Sequence, residues 1–140
     1  MSYGYGRKQT AYLEADVMSR PKEWLVPLLY EHLVSNLRRA AVQMEVNDVA
    51  GRTESLDRAS AIVLELAASL DREAGGQLAQ QLSSLYAYFL TEILQIGLTR
   101  SAERLEKLTA LVAELGEAWT QAAEQVAPRA TARSAAVSAA

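Results

Sequence analysis

The chain of 140 residues contains no cysteine and a single histidine, His32. The first absence removes disulfides, thiolate nucleophiles and cysteine-ligated zinc or iron–sulfur sites together, and it suits a reducing compartment. The second bars a di-iron bundle site, which draws Glu-x-x-His pairs from two helices; here Leu29 stands where the glutamate of such a pair would be. Gly4-Tyr5-Gly6 and Gly75-Gly76 lack the lysine and hydroxyl residue of a phosphate-cradling loop. No serine, threonine or lysine has an evident base partner for covalent catalysis. No run approaches the ~20 apolar residues needed to span a bilayer, and Met1–Thr10 lacks the apolar core of a signal peptide, so the chain reads as cytosolic with no membrane insertion. The net charge is −3, with Arg7, Lys8, Arg20, Lys22, Arg129 and Arg133 near the ends and acidic groups dominating between them. A nucleic-acid binder needs Lys and Arg along one face of a folded element, which the central segments do not offer. Enzyme activity, a cofactor, a metal and a nucleic-acid partner are therefore not expected.

What the chain does have is apolar residues at alternating three- and four-residue steps, the signature of one-sided helices. Leu105, Leu108, Val112, Leu115, Trp119 and Ala122 form one stripe, and Leu56, Ala59, Val63, Leu66 and Leu70 another. Val26, Tyr30, Leu33, Leu37, Ala40 and Met44 form a third, widened by Leu25, Leu28 and Leu29. Ser19 and Pro21 suit the start of that helix, whereas Pro27, beyond a first turn begun there, predicts a kink or a delayed start. Asn47 and Asp48 mark a break and a new cap, with Gly51 weakening the turns that follow. Asp71–Gly76 reads as a short loop. The next segment, Gln77–Ile96, is apolar over more than half its circumference through Leu78, Leu82, Leu85, Tyr86, Phe89, Leu90, Ile93, Leu94 and Ile96, and is expected to be the most buried helix. Gly97 is expected to end it as a left-handed cap, and Thr99 or Ser101 to begin the last helix, which continues to about Gln125.

Short connections between such helices predict an all-α, antiparallel up-and-down four-helix bundle. The expected organisation is an N-terminal arm with a short helix over 1–18, the bundle over 19–126, and an Ala/Ser-rich tail over 127–140 with nothing large enough to order it. The tyrosines of the arm, Tyr3, Tyr5 and Tyr12, are placed where the chain cannot build its own core, so their rings are expected to occupy a groove. Off-stripe acids such as Asp57, Glu65, Glu106 and Glu114 read as a solvated face. The sharpest competing reading is a histidine phosphotransfer bundle using His32. Such domains usually carry a lysine three positions on and then a small residue, where this chain has Ser35 and Asn36. A helical dimerisation module with no client is a third reading.

A family resemblance rests on the order and spacing of Tyr12, Ser19-Arg20-Pro21, Leu25, Leu28-Leu29-Tyr30-Glu31, Ser69-Leu70-Asp71, Gly75-Gly76, Leu82, Leu85-Tyr86, Tyr88, Leu115, Ala118 and Trp119. Over Tyr5–Gln125 the chain resembles the FliS-type flagellin export chaperones. The resemblance implies a cytosolic chaperone that binds the disordered C-terminal segment of flagellin, prevents premature filament assembly and helps deliver the subunit to the flagellar type III export apparatus. Export components and regulators of flagellin synthesis are the further partners it implies. It also implies that the client lies in apolar grooves which the N-terminal arm covers in its absence. Stripe width and this likeness together nominate Leu25, Leu28, Leu29, Tyr86, Phe89, Leu90 and Ile93 as groove residues, with Tyr5 and Tyr12 as the resident cover. His32, Pro27 and the tail after Pro128 depart from the family pattern.

Overall fold

The structure, a computed structural model, describes residues 22–128. A 3₁₀ turn, Lys22–Trp24, leads into α1 (Leu25–Glu45), followed by α2 (Val49–Ala68), α3 (Arg72–Thr99) and α4 (Ala102–Val126). Among the described residues these are the only regular elements. Helix α1 packs on α2 and on α4, and α3 closes the ring by packing on the same two, most loosely on α4. The result is the antiparallel four-helix bundle that the spacing predicts. The arm and most of the tail, with Tyr5, Tyr12, Ser19 and Pro21, lie outside the described residues.

Helix α1 starts at Leu25, after Trp24, which makes no side-chain cap bond. Pro27 thereby falls within the first turn, where the missing N–H would have had no intrahelical partner, so the delayed start removes the expected kink. The α1–α2 turn places Asn47 at φ 57° and Asp48 as N-cap, its carboxylate accepting from the Gly51 amide at 2.9 Å. A Cβ at Gly51 would meet the Asp48 carboxylate and the Gln43 amide, the ends of two side chains that would have to shift to admit it. The predicted loop Asp71–Gly76 is mostly a turn of helix, and the chain bends at Gly76, at φ 52° and ψ −124°, before the long shaft of α3.

Gly97 does not end α3. The helix runs on to Thr99, and Arg100 takes the left-handed conformation at φ 56°. Ser101 then caps α4, its Oγ accepting from the Arg104 amide at 3.1 Å. Glycine's usual place after a helix misled here, because the chain finishes one more turn and accepts a non-glycine residue at positive φ.

The core joins Leu29, Leu33 and Leu37 of α1, Leu56, Val63 and Leu66 of α2, Phe89, Ile93 and Ile96 of α3, and Leu105, Leu108 and Val112 of α4. Helix α1, with nine buried residues from Pro27 to Ala40, is the most buried, and not α3 as the sequence implies. Part of the apolar girth of α3 faces outward: Leu78, Tyr88, Leu94 and Leu98 are exposed. On α4 the stripe drifts at its end, burying Ala123 rather than Ala122.

Candidate functional site

Helix α3 sets the character of one face. From Gln77 to Thr99 it carries one charged residue, Glu92, and that one turns toward α4, where the Arg104 guanidinium stands 3.6 Å from its carboxylate. The opposite flank meets α2: a Cβ at Gly97 would touch Leu56 at 3.9 Å. On that flank Leu90, Leu94 and Leu98 follow one another at four-residue steps, so they form one row. Leu90 is half-buried against the core, while Leu94 is 61% and Leu98 69% exposed. The antiparallel neighbour contributes Leu64, 57% exposed, with the half-buried Ser60 and Ala67 one turn to either side of it. Small residues between leucine ridges make a shallow furrow on which a helix's apolar side can pack, and the exposed Asp57, seven residues before Leu64, borders it.

A second depression runs along the α1–α4 seam. Its upper part has a volume of about 540 Å³, floored by Pro27, Tyr30, Val34, Ala113 and Gly116 and edged by Glu31, Glu117 and Arg38. Its continuation, about 600 Å³, passes Arg38 and Ala113 to reach Met44, Arg100 and Glu106. The helices approach closely at Gly116, where an added Cβ would lie 3.1 Å from that of Tyr30. Beneath this seam Tyr30 and Tyr86 span the bundle diagonally, their hydroxyls sharing a hydrogen bond of 3.3 Å, with Trp119 and Phe89 at ring-centroid distances of 6.5 and 6.0 Å. Burial raises the Tyr30 hydroxyl above its ordinary pKa, with partial offset from hydrogen bonding to Tyr86 and Trp119. Burial, followed by the bond to Tyr30, drives Tyr86 up much further. Both phenols are neutral at any physiological pH.

The nominated groove residues divide between interior and surface. Leu28 and the core residues Leu29, Tyr86, Phe89 and Ile93 are buried, whereas Leu25 and Leu90 are half-buried at the margin. Leu64, Leu94 and Leu98 form the row that reaches solvent. The available signal for Leu94 and Leu98 was the lack of charge along their helix, where Glu92 alone is charged between Gln77 and Thr99. His32 is half-buried, and its carbonyl accepts from the Asn36 amide at 2.8 Å. Asp57, Glu65, Glu106 and Glu114 are exposed. Among the described residues no group of three or more His, Cys, Asp or Glu side chains is placed to hold a metal, and no helix is long and apolar enough to cross a membrane.

An apolar row left open on one helix of a bundle fits a protein that holds other chains, and the comparison with known families agrees. The family profile described as flagellar protein FliS matches residues 5–126, which takes in all four helices. The chain belongs to the FliS family. The flagellar secretion chaperone FliS of Salmonella typhimurium is 35% identical over 120 residues, covering 85% of this chain and 86% of that protein. The FliS of Escherichia coli is 34% identical over 110 residues, covering 78% and 81% respectively. That of Bacillus subtilis is 26% identical over 113 residues, covering 81% and 84%.

Proposed function

We propose that this FliS-type chaperone binds the disordered C-terminal segment of flagellin in the cytosol, keeps it from polymerising, and assists its delivery to the flagellar export apparatus. The observation that carries the reading is the row Leu90, Leu94 and Leu98 with Leu64 beside it, left apolar and open on a helix face without charge. Such a face accepts an amphipathic segment that becomes helical as it binds. Burial at about 25 cal/mol per Å² must exceed the ordering cost of the client, so a long row of contacts is required rather than a single pocket. Leu90 is the nominated residue a client reaches directly in this furrow, Leu25 offers a half-buried margin on α1, and Leu28, Leu29, Tyr86, Phe89 and Ile93 support the bundle from within. Tyr5 and Tyr12 act as the cover that a client displaces.

The test is calorimetric titration of a flagellin C-terminal peptide into the full chain and into the Leu94→Asp, Leu98→Asp double variant. Both positions are exposed, so helicity and melting temperature stay near those of the parent, while affinity falls by a factor of ten or more, on the order of 1.4 kcal/mol. Undiminished affinity in a folded double variant would sink the reading.

A further inference from the structure

The α1–α4 seam has a different chemistry from the furrow beside α2. Its two depressions share Arg38 and Ala113, so they form one trough that follows α4 from Thr120 back to Ala102, about 27 Å at the helical rise. Ser35, Ala110, Ala113 and Gly116 line it with small side chains. Beyond its upper end the Trp24 indole N–H donates to the Ala127 carbonyl at 2.6 Å, so the start of α1 and the finish of α4 are held side by side. Charge is unevenly divided along the trough. Residues 23–37 and 108–128 contain no lysine or arginine, and their glutamates Glu23, Glu31, Glu114, Glu117 and Glu124 are all exposed. Glu31 and Glu117 edge the upper depression from opposite helices, and Glu124, seven residues on, lies on the same stripe of α4 as Glu117. The continuation is balanced, with Arg38 and Arg100 beside Glu45 and Glu106.

We propose that this trough is a second docking site, for a basic amphipathic helix of a partner protein that lays a small-residue face on the floor and sets lysines or arginines against Glu31, Glu117 and Glu124. The shape selects a helix. A trough bounded by two helix axes runs straight, and small side chains let a third helix come close to both. That helix satisfies its own backbone, whereas an extended chain would set unpaired N–H and C=O groups over Ala113 and Gly116. The charge selects the partner: with no cation of its own over the upper end, the trough attracts a basic segment and repels an acidic one. A nucleic acid is excluded on the same ground. The site lies on the α1–α4 side of the bundle, away from the α2–α3 furrow, and does not depend on flagellin being the client there.

The probe is a labelled synthetic helix of about 20 residues, long enough for the trough, with alanine along one face and lysines flanking that face over one half. Its fluorescence anisotropy is titrated with the full chain. Binding is expected to be about tenfold tighter than for the same peptide with glutamate in place of lysine, and to weaken several-fold between about 0.1 and about 1 M salt, where screening contracts from ~10 to ~3 Å. Glu117→Lys with Glu124→Lys should cost about tenfold while helicity and melting temperature hold, because both positions are exposed. Ala110→Leu, also exposed, raises the floor without touching charge and should weaken binding several-fold, which separates a fitted trough from diffuse attraction. Leu94→Asp with Leu98→Asp should leave the probe's affinity unchanged. Equal affinity for the lysine and glutamate peptides, or indifference to Ala110→Leu, would overturn the proposal. So would displacement of the probe by the flagellin C-terminal peptide, which would give the trough to the client. A dimer in equilibrium sedimentation that the probe dissociates would give it to a second copy instead.

Discussion

Gly116 and Tyr30 decide how near two helices come. A glycine inside a helix costs about 1 kcal/mol against alanine, yet here it faces the Tyr30 Cβ at the 3.1 Å where a Cβ of its own would stand. Close approach is what the residue supplies, and it keeps the Tyr30 ring beside Trp119. Gly116→Val is expected to force α4 outward and destabilise the bundle by about 1–3 kcal/mol, read from urea midpoints. The tyrosine pair makes a separate prediction. The folded pKa of each phenol lies above the unfolded value of ~10, so the folded chain holds those protons more tightly. Their contribution is complete below that pH and is lost as pH rises through the folded values. Stability should therefore begin to fall as pH rises past about 10 and keep falling above it, and Tyr86→Phe should flatten the fall while lowering the neutral-pH plateau for want of the shared hydrogen bond. An unchanged alkaline slope in that variant would mean other groups govern it.

At the scale of elements the glycines separate by backbone rather than by neighbours in sequence. Gly97 lies in regular helix with only ordinary contact to Leu56, so Gly97→Ala should stabilise by about 0.5–1 kcal/mol. Gly76 has open space around it but sits at φ 52°, so Gly76→Ala should cost a comparable amount. Thermal melts of both variants test the pair, and the same sign for both would contradict the assigned breaks. The bend at Gly76 was legible as the end of the expected Asp71–Gly76 loop, whereas the end of α3 was not, because glycine before a polar run looks the same whether the helix ends at it or a few residues later. Pro27 was legible only in part: a proline fixes φ and lacks a donor, but whether that kinks a helix depends on where the helix begins. The cap residues Asp48 and Ser101 were legible, since a short oxygen-bearing side chain ahead of an apolar stripe has one good use.

At the scale of the molecule the bundle was legible because stripes on four segments can be buried in few ways. Which face stays open was harder. A helix that is apolar over most of its girth looks like a core helix, and Tyr86, Phe89, Ile93 and Ile96 are indeed interior. Only the packing shows that α3 rests mainly on two neighbours, and that Leu94 and Leu98 stay exposed on the flank beside α2. The nomination of Leu29, Tyr86, Phe89 and Ile93 reflects this: stripe width reveals that some apolar side must be left over, but its direction is a tertiary property.

The hydrogen bond between Trp24 and Ala127 also fixes how the molecule responds to force. With both ends emerging at one pole, tension applied through them peels α1 and α4 apart turn by turn, since it never loads all their contacts in parallel. In optical tweezers the full chain should unravel at low force in a zipper-like manner. Trp24→Phe should lower the force of the first rip while leaving later ones alone.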